Sequence, residues 1–126
     1  MSEQSLPARN TLALLDNLFF SAKINAAAAP AGYHVAYAKT AEQALSLARS
    51  LSPALILLDL DANACGPFAF LAELKADPHL QTVPTVGFVS HVNLATQERA
   101  RAMGCDRIMA RSAFDRNLPT LFSELS

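Results

Sequence analysis

Polar side chains that could carry out phosphate or metal chemistry recur along this 126-residue chain, each directly after an apolar segment. Carboxylates bind hard cations or act as nucleophiles. Hydroxyl and guanidinium groups donate hydrogen bonds to phosphoryl oxygens. Such a set is useful only if the fold brings its members together. The residues are Asp16-Asn17, Asp59, Ser90-His91 and Arg111-Ser112.

Five apolar runs alternate with five helical patterns, and they supply the elements that position these groups. The third and fourth runs are almost continuously apolar, which is typical of strands buried on both faces of a parallel sheet. A (βα)5 order of this length predicts a single α/β domain, doubly wound and flavodoxin-like, with strand order 2-1-3-4-5. It spans residues 1–126, with its core at 11–125. The predicted strands are Thr11–Leu15, Tyr33–Ala38, Ala54–Leu58, Pro84–Val89 and Arg107–Ala110.

Capping residues, a glycine and a proline also indicate several helix boundaries. Thr40 with Gln43 three residues later predicts a capping box for the second helix. Gly104 stands where a left-handed residue would close the fourth helix. Pro119 is expected in the first turn of the last helix, where its missing N–H costs nothing.

The predicted topology places the polar groups at one edge of the sheet. Ligands of open parallel sheets bind beyond the carboxyl ends of the strands, where the strand order reverses. Asp16, Asp59, Ser90 and Arg111 should therefore converge there. An alternative is that polar residues simply begin each loop, some of them capping helices. Because Asp59 follows four apolar residues of a central strand, the functional interpretation is favoured.

From about Thr11 to Leu125, the chain resembles the receiver domain of bacterial two-component response regulators. That family has an acidic pair after the first strand and a phospho-accepting Asp after the third. A Thr or Ser follows the fourth strand, and Lys-Pro follows the fifth. The matching residues here are Asp16-Asn17, Asp59, Ser90 and Arg111-Ser112, together with the turn Gly104-Cys105-Asp106.

The resemblance implies a role for each residue of the site. Asp59 would accept a phosphoryl group, while Ser90 and Arg111 would contact phosphoryl oxygens. Mg²⁺ would be the cofactor, because carboxylates with waters are its usual ligands. The implied Mg²⁺ ligands are Asp16, Asp59, the backbone carbonyl of Asp61 and, more weakly, Asn17.

The chain also departs from the family pattern. Asn17 replaces the second acid, which removes a ligand charge. Arg111 replaces the Lys and presents a planar fork in place of a point charge. Ser112 replaces the Pro, and Ile108 stands where many members have a switch aromatic. His91, after Ser90, is expected to be a surface residue.

Three classes of function follow. The preferred one is a phosphorelay receiver that is switched at Asp59 and is not an enzyme in its own right. The second is a degenerate receiver that binds protein partners without phosphoryl transfer. The third is a phosphatase of the haloacid-dehalogenase type, since Asp59-Leu60-Asp61 is similar to its Asp-x-Asp motif, although that motif normally ends the first strand.

Charge is unevenly distributed along the chain. Residues 99–116 contain five arginines and two aspartates, a net charge of +3 in a chain of net charge −1. This segment is predicted to contact partners: a histidine kinase or phosphotransfer protein, a downstream protein, or a second copy through the fourth helix, fifth strand and fifth helix. The partner-surface candidates are Arg99, Arg101, Arg107 and Arg116.

Other classes of partner and site are not indicated. The near-neutral charge and scarcity of interleaved aromatics argue against nucleic acid. No apolar run approaches the roughly 20 residues of a membrane span, and no signal pattern is present, so a cytoplasmic location is expected. Cys65 and Cys105 lack metal or disulfide spacing and are expected to be unpaired thiols. His34 and His79 are expected at the surface.

Overall fold

A computed structural model describes residues 9–89 and 94–124, apart from the side chains of Leu18 and Glu124. Its five strands are all parallel and form one sheet in the order β2-β1-β3-β4-β5. The predicted flavodoxin-like order is confirmed, and each strand boundary lies within two residues of the prediction. The strands are β1 Arg9–Leu14, β2 Tyr33–Ala38, β3 Leu55–Asp59, β4 Thr85–Val89 and β5 Arg107–Ala110.

Helices cover both faces of the sheet. Because side chains alternate along a strand, Ile56 and Leu58 of β3 belong to one core cluster, whereas Leu55 and Leu57 belong to another. The first cluster lies under α2, α3 and α4, and the second under α1 and α5. Both faces of β3 are therefore buried. The helices are α1 Leu18–Ala28, α2 Ala41–Leu51, α3 Pro67–Ala76, α4 Leu94–Ala102 and α5 Arg111–Glu124, with 3-10 turns at Ala29–Ala31 and Asn63–Cys65.

Thr40 caps α2 as predicted, whereas the second hydrogen bond of the capping box comes from Lys39 and not from Thr40. The backbone N–H of Gln43 donates to Oγ1 of Thr40 at 3.1 Å, and the Gln43 side chain accepts from the backbone N–H of Lys39 at 2.9 Å. Gln43 thus reaches back to the residue before the cap. Gly104 follows α4 with φ +95°, a conformation that glycine adopts without strain.

Pro119 lies elsewhere than predicted. The chain passes from β5 directly into α5 at Arg111, so Pro119 falls inside that helix. The sequence interpretation was wrong because it treated Arg111-Ser112 as a loop. Pro119 is exposed, and its ring removes the N–H that would have bonded to the carbonyl of residue 115.

The structure also shows the environment of the two cysteines and of His34 and His79. Cys65 and Cys105 are both buried, and neither forms a disulfide. His34 and His79 are exposed, as predicted. Within residues 9–89 and 94–124, no helix combines the length and apolar character needed to cross a membrane.

Candidate functional site

Asp59 is the last residue of β3 and lies opposite Phe88 of β4. It is buried, with 4% of its surface exposed. One carboxylate oxygen, Oδ1, accepts a hydrogen bond from the backbone N–H of Asp61 at 3.0 Å. The other, Oδ2, accepts one from Nη2 of Arg111, also at 3.0 Å. Both oxygens of the implied phospho-acceptor are therefore engaged.

The protonation of Asp59 reflects two opposing influences. Burial raises the pKa of its carboxyl, because the charged form loses hydration. The positive charge of Arg111 and the backbone N–H of Asp61 act in the opposite direction, but the net pKa remains above its ordinary value. The positive charge of Arg111 thus stabilises the ionised form of the Asp59 carboxyl.

Arg111, the first residue of α5, lies against aromatic rings as well as against Asp59. Its guanidinium carbon is 5.1 Å from the ring centroid of Phe20 and 5.4 Å from that of Phe88. Phe88 stacks on Phe114, with centroids 4.4 Å apart, and Phe20 lies 5.0 Å from Phe88. We call Phe20, Phe88 and Phe114 the aromatic floor. Sequence reasoning missed it, because its members come from three separate elements.

Asn17, predicted as a weak metal ligand, is engaged in capping. Its side-chain oxygen accepts a hydrogen bond from the backbone N–H of Phe20 at 3.1 Å and so caps α1. Asn17 is exposed, and so is Asp16. Asn17 therefore fits the alternative in which polar residues that begin strand-to-helix loops cap the helices.

Asp16 and Asp59 both influence one further residue, the buried Cys65. Burial raises the pKa of the Cys65 thiol, and the negative charges of Asp16 and Asp59 raise it further. Both predicted carboxylates therefore lie within electrostatic range of this thiol. Asp61, the third implied ligand, has its backbone carbonyl engaged by the N–H of Asn63 at 3.0 Å.

These contacts test whether the residues fit the Mg²⁺ that the resemblance implies. Asp59, Asn17 and the Asp61 carbonyl already accept hydrogen bonds, and the Arg111 cation lies beside Asp59. Among the residues that the structure describes, no three His, Cys, Asp or Glu side chains are grouped so as to hold a metal ion. The Arg111 charge beside Asp59 does not fit a divalent cation at this carboxylate.

Two of the predicted site residues remain untested. Ser90 and His91 lie outside the described residues. The hydroxyl contact that the resemblance implies for Ser90 therefore stays a prediction, as does the surface position of His91.

A cavity of about 530 Å³ opens beside the site, between the start of α1 and the start of α5. Phe19 lies at its edge and is 83% exposed. Lys23 of α1 and Asp115 of α5 form an ion pair across it at 3.2 Å. Of the predicted site residues, Asn17, Arg111 and Ser112 line this cavity.

The four arginines predicted to contact partners are all exposed. They lie on α4 (Arg99 and Arg101), β5 (Arg107) and α5 (Arg116). The Arg99 guanidinium carbon is 4.0 Å from the ring centroid of Phe68, so this arginine also packs α4 against α3.

Comparison with known proteins gives a consistent class of relatives. No protein-family model matches the chain. The polar-differentiation response regulator DivK of Brucella ovis is 28% identical over 80 residues, which are 64% of this chain and 65% of that protein. The match therefore spans slightly less than two thirds of this relative.

Solved structures match over nearly the whole chain. A response regulator from Hahella chejuensis has a TM-score of 0.83 at 18% identity, covering 93% of this chain and 94% of that one. The chemotaxis response regulator CheY4 of Vibrio cholerae has a TM-score of 0.81 at 16% identity, covering 95% and 100%. The phosphorylated cyanobacterial phytochrome response regulator RcpA has a TM-score of 0.75 at 24% identity, covering 94% and 89%.

Proposed function

We propose that this chain, which has the fold of response-regulator receiver domains, is a signalling receiver that takes a phosphoryl group on Asp59. One observation carries the proposal. A buried carboxylate at the end of the central strand β3 lies 3.0 Å from a guanidinium, so nucleophile and phosphate-binding cation are already paired. The similarity to the response regulator DivK supports the signalling role.

The chemistry requires only the residues of this pair and an external donor. An Asp59 oxygen attacks the donor's phosphorus, forming an O–P bond. The bond between phosphorus and the leaving group breaks, and the leaving group departs with the electron pair. Arg111 stays beside the negative charge as it passes from the carboxylate to the phosphoryl oxygens, where guanidinium groups bind well.

A phosphoryl group on Asp59 would change the contacts of the first residue of α5. Because Arg111 begins that helix, its new partner alters the surface formed by α4, β5 and α5. We propose that the exposed arginines of this surface contact a downstream protein or a second copy of the chain. The phosphoryl donor would be a histidine kinase or phosphotransfer protein in the cytoplasm.

A second candidate function is a protein-interaction module that transfers no phosphoryl group. It is favoured by the engagement of both Asp59 oxygens and by a side chain that is only 6% exposed. The Asp-x-Asp phosphatase alternative is not proposed, because Asp59 ends the third strand of the chain and that motif belongs on the first.

Chemical phosphorylation separates the two candidates. The purified protein is incubated with acetyl phosphate, with and without Mg²⁺, and the acyl phosphate is located by mass spectrometry. The receiver proposal requires label on Asp59 that is lost in Asp59→Asn. The control Asp61→Asn removes an exposed carboxylate nearby and should still be labelled. Absence of label under every condition would leave the interaction module.

A further inference from the structure

We infer that Arg111 is the resident cation of this site and that its guanidinium takes the charge-balancing position that a divalent metal ion would otherwise occupy. The inference deepens the proposed function, because it concerns the same carboxylate and states what that carboxylate requires. It also stands on its own as a statement about cation binding, whether or not Asp59 is phosphorylated.

The contacts of Arg111 are those of a cation built into the fold. Its Nη2 donates to Oδ2 of Asp59 at 3.0 Å, while the guanidinium plane lies near the rings of Phe20 and Phe88. Cations are attracted to the faces of aromatic rings. A planar guanidinium can make these contacts and bind a carboxylate at once, whereas a compact ammonium cannot reproduce the set.

The aromatic floor explains why this cation stays in place. Phe20 of α1 is 6% exposed, and Phe88 of β4 and Phe114 of α5 are fully buried. The three rings are packed against one another, so they present a rigid apolar surface beneath the guanidinium. An apolar surrounding weakens screening and strengthens the attraction between Arg111 and Asp59.

The same arrangement disfavours a metal ion. A divalent cation at Asp59 would lie beside the like charge of Arg111, which repels it. Two further oxygens that could serve as ligands already accept one hydrogen bond each: Asn17 caps α1 through the Phe20 N–H, and the Asp61 carbonyl accepts from Asn63. The charge of Arg111 is therefore the feature that opposes divalent binding.

Mn²⁺ titration followed by electron paramagnetic resonance tests the inference directly. The wild type is expected to leave Mn²⁺ free at millimolar concentrations. Arg111→Met should tighten Mn²⁺ binding by about tenfold or more, because a repelling charge is removed. Asp59→Asn combined with Arg111→Met should lose this gain. Arg116→Met removes an exposed charge from the same helix and should resemble the wild type.

Equal Mn²⁺ affinities of the wild type and Arg111→Met, whether both tight or both weak, would overturn the inference. Circular dichroism checks that each variant folds. If Arg111→Met does not fold, Arg111→Gln removes the same charge and keeps an amide N–H that can donate to Asp59. It should bind Mn²⁺ several-fold more tightly than the wild type, and equal affinities would again overturn the inference.

Phosphodonor labelling distinguishes this failure from failure of the proposed function. Equal labelling of Asp59 in Mg²⁺ and in a chelator supports both statements. Labelling that requires Mg²⁺ overturns the resident cation and leaves the receiver intact. No labelling, with Mn²⁺ excluded from the wild type, overturns phosphoryl transfer and leaves the resident cation intact.

Discussion

Nη2 of Arg111 lies 3.0 Å from Oδ2 of Asp59, although 52 positions separate the two residues. Asp59 ends β3 and Arg111 follows β5, so β4 lies between them. Neighbouring strands are about 4.8 Å apart, which means that the arginine side chain must cross a whole strand. It does so over Phe88, the β4 residue opposite Asp59. The pair therefore links the end of β3 to the start of α5 across β4.

The raised pKa of Asp59 has a consequence for stability at different pH. The folded state holds this proton to a higher pH than the unfolded state does, so Asp59 contributes stability below its unfolded pKa. That contribution is lost as pH rises through the folded pKa. The free energy of unfolding of Asp59→Asn should therefore increase relative to wild type from acidic to neutral pH, as measured by urea denaturation.

Asp77→Asn is the matched control, and its slope should have the opposite sign. The backbone N–H of His79 lowers the pKa of Asp77, and Arg49 lowers it further. Asp77 thus contributes stability above its unfolded pKa and loses it as pH falls. Relative to wild type, Asp77→Asn should lose stability as pH rises. Parallel slopes for the two variants would contradict this assignment.

The Asn17 side chain can be tested as a cap. Asn17→Asp should keep the free energy of unfolding close to that of wild type, because aspartate accepts the Phe20 N–H equally well. Asn17→Ala should lose about 1 kcal/mol, the usual cost of removing a cap. Thermal or urea unfolding measures both. Equal stability for the Ala and Asp variants would show that the cap contributes nothing.

Gly87 in β4 leaves room for a neighbouring side chain. A Cβ atom there would lie 2.7 Å from Cδ1 of Leu60 and 3.2 Å from Sγ of Cys105. Gly87→Ala should therefore lower the free energy of unfolding by about 1–3 kcal/mol, as overpacked cores do. In a Leu60→Ala background the same change should cost less. An equal cost in both backgrounds would exclude Leu60 as the cause.

The aromatic floor should strengthen the coupling between Asp59 and Arg111. A double-mutant cycle of Asp59→Asn and Arg111→Met is expected to give a coupling energy of about 1 kcal/mol or more. Repeating the cycle with Phe20→Leu should reduce that energy, because the guanidinium loses one of the rings beside it. Phe122→Leu, at another buried ring of the same face, is the control and should leave the coupling unchanged.

Most of the sheet could be predicted because its signal is local. The apolar runs of β3 and β4 mark strands buried on both faces, and strand order follows from the alternation of strands and helices. The start of α5 could not be predicted. Arg111-Ser112 is a polar pair that suits a loop as well as a first helical turn, and Pro119 then favoured a later start.

The site was predictable in position but not in its contacts. The positions of Asp59 and Arg111 follow from the topology. The engagement of Asn17 does not, because an asparagine after a strand suits both a ligand and a cap, and only its contact with the Phe20 N–H decides. The aromatic floor depends on which face of the sheet carries Phe88 and which face of α5 carries Phe114. Tertiary packing determines both.

Because 52 positions separate Asp59 from Arg111, the two residues leave the ribosome at different times during translation. A nascent chain emerges from the ribosome with β3 first, and its carboxylate then has no cationic partner. Burying that charge alone is costly, so we expect the carboxyl end of β3 to stay hydrated until α5 arrives. A polypeptide that stops short of Arg111 would leave the Asp59 carboxyl without its cationic partner at this edge of the sheet. The Asp59–Arg111 contact therefore couples completion of this edge to the synthesis of α5.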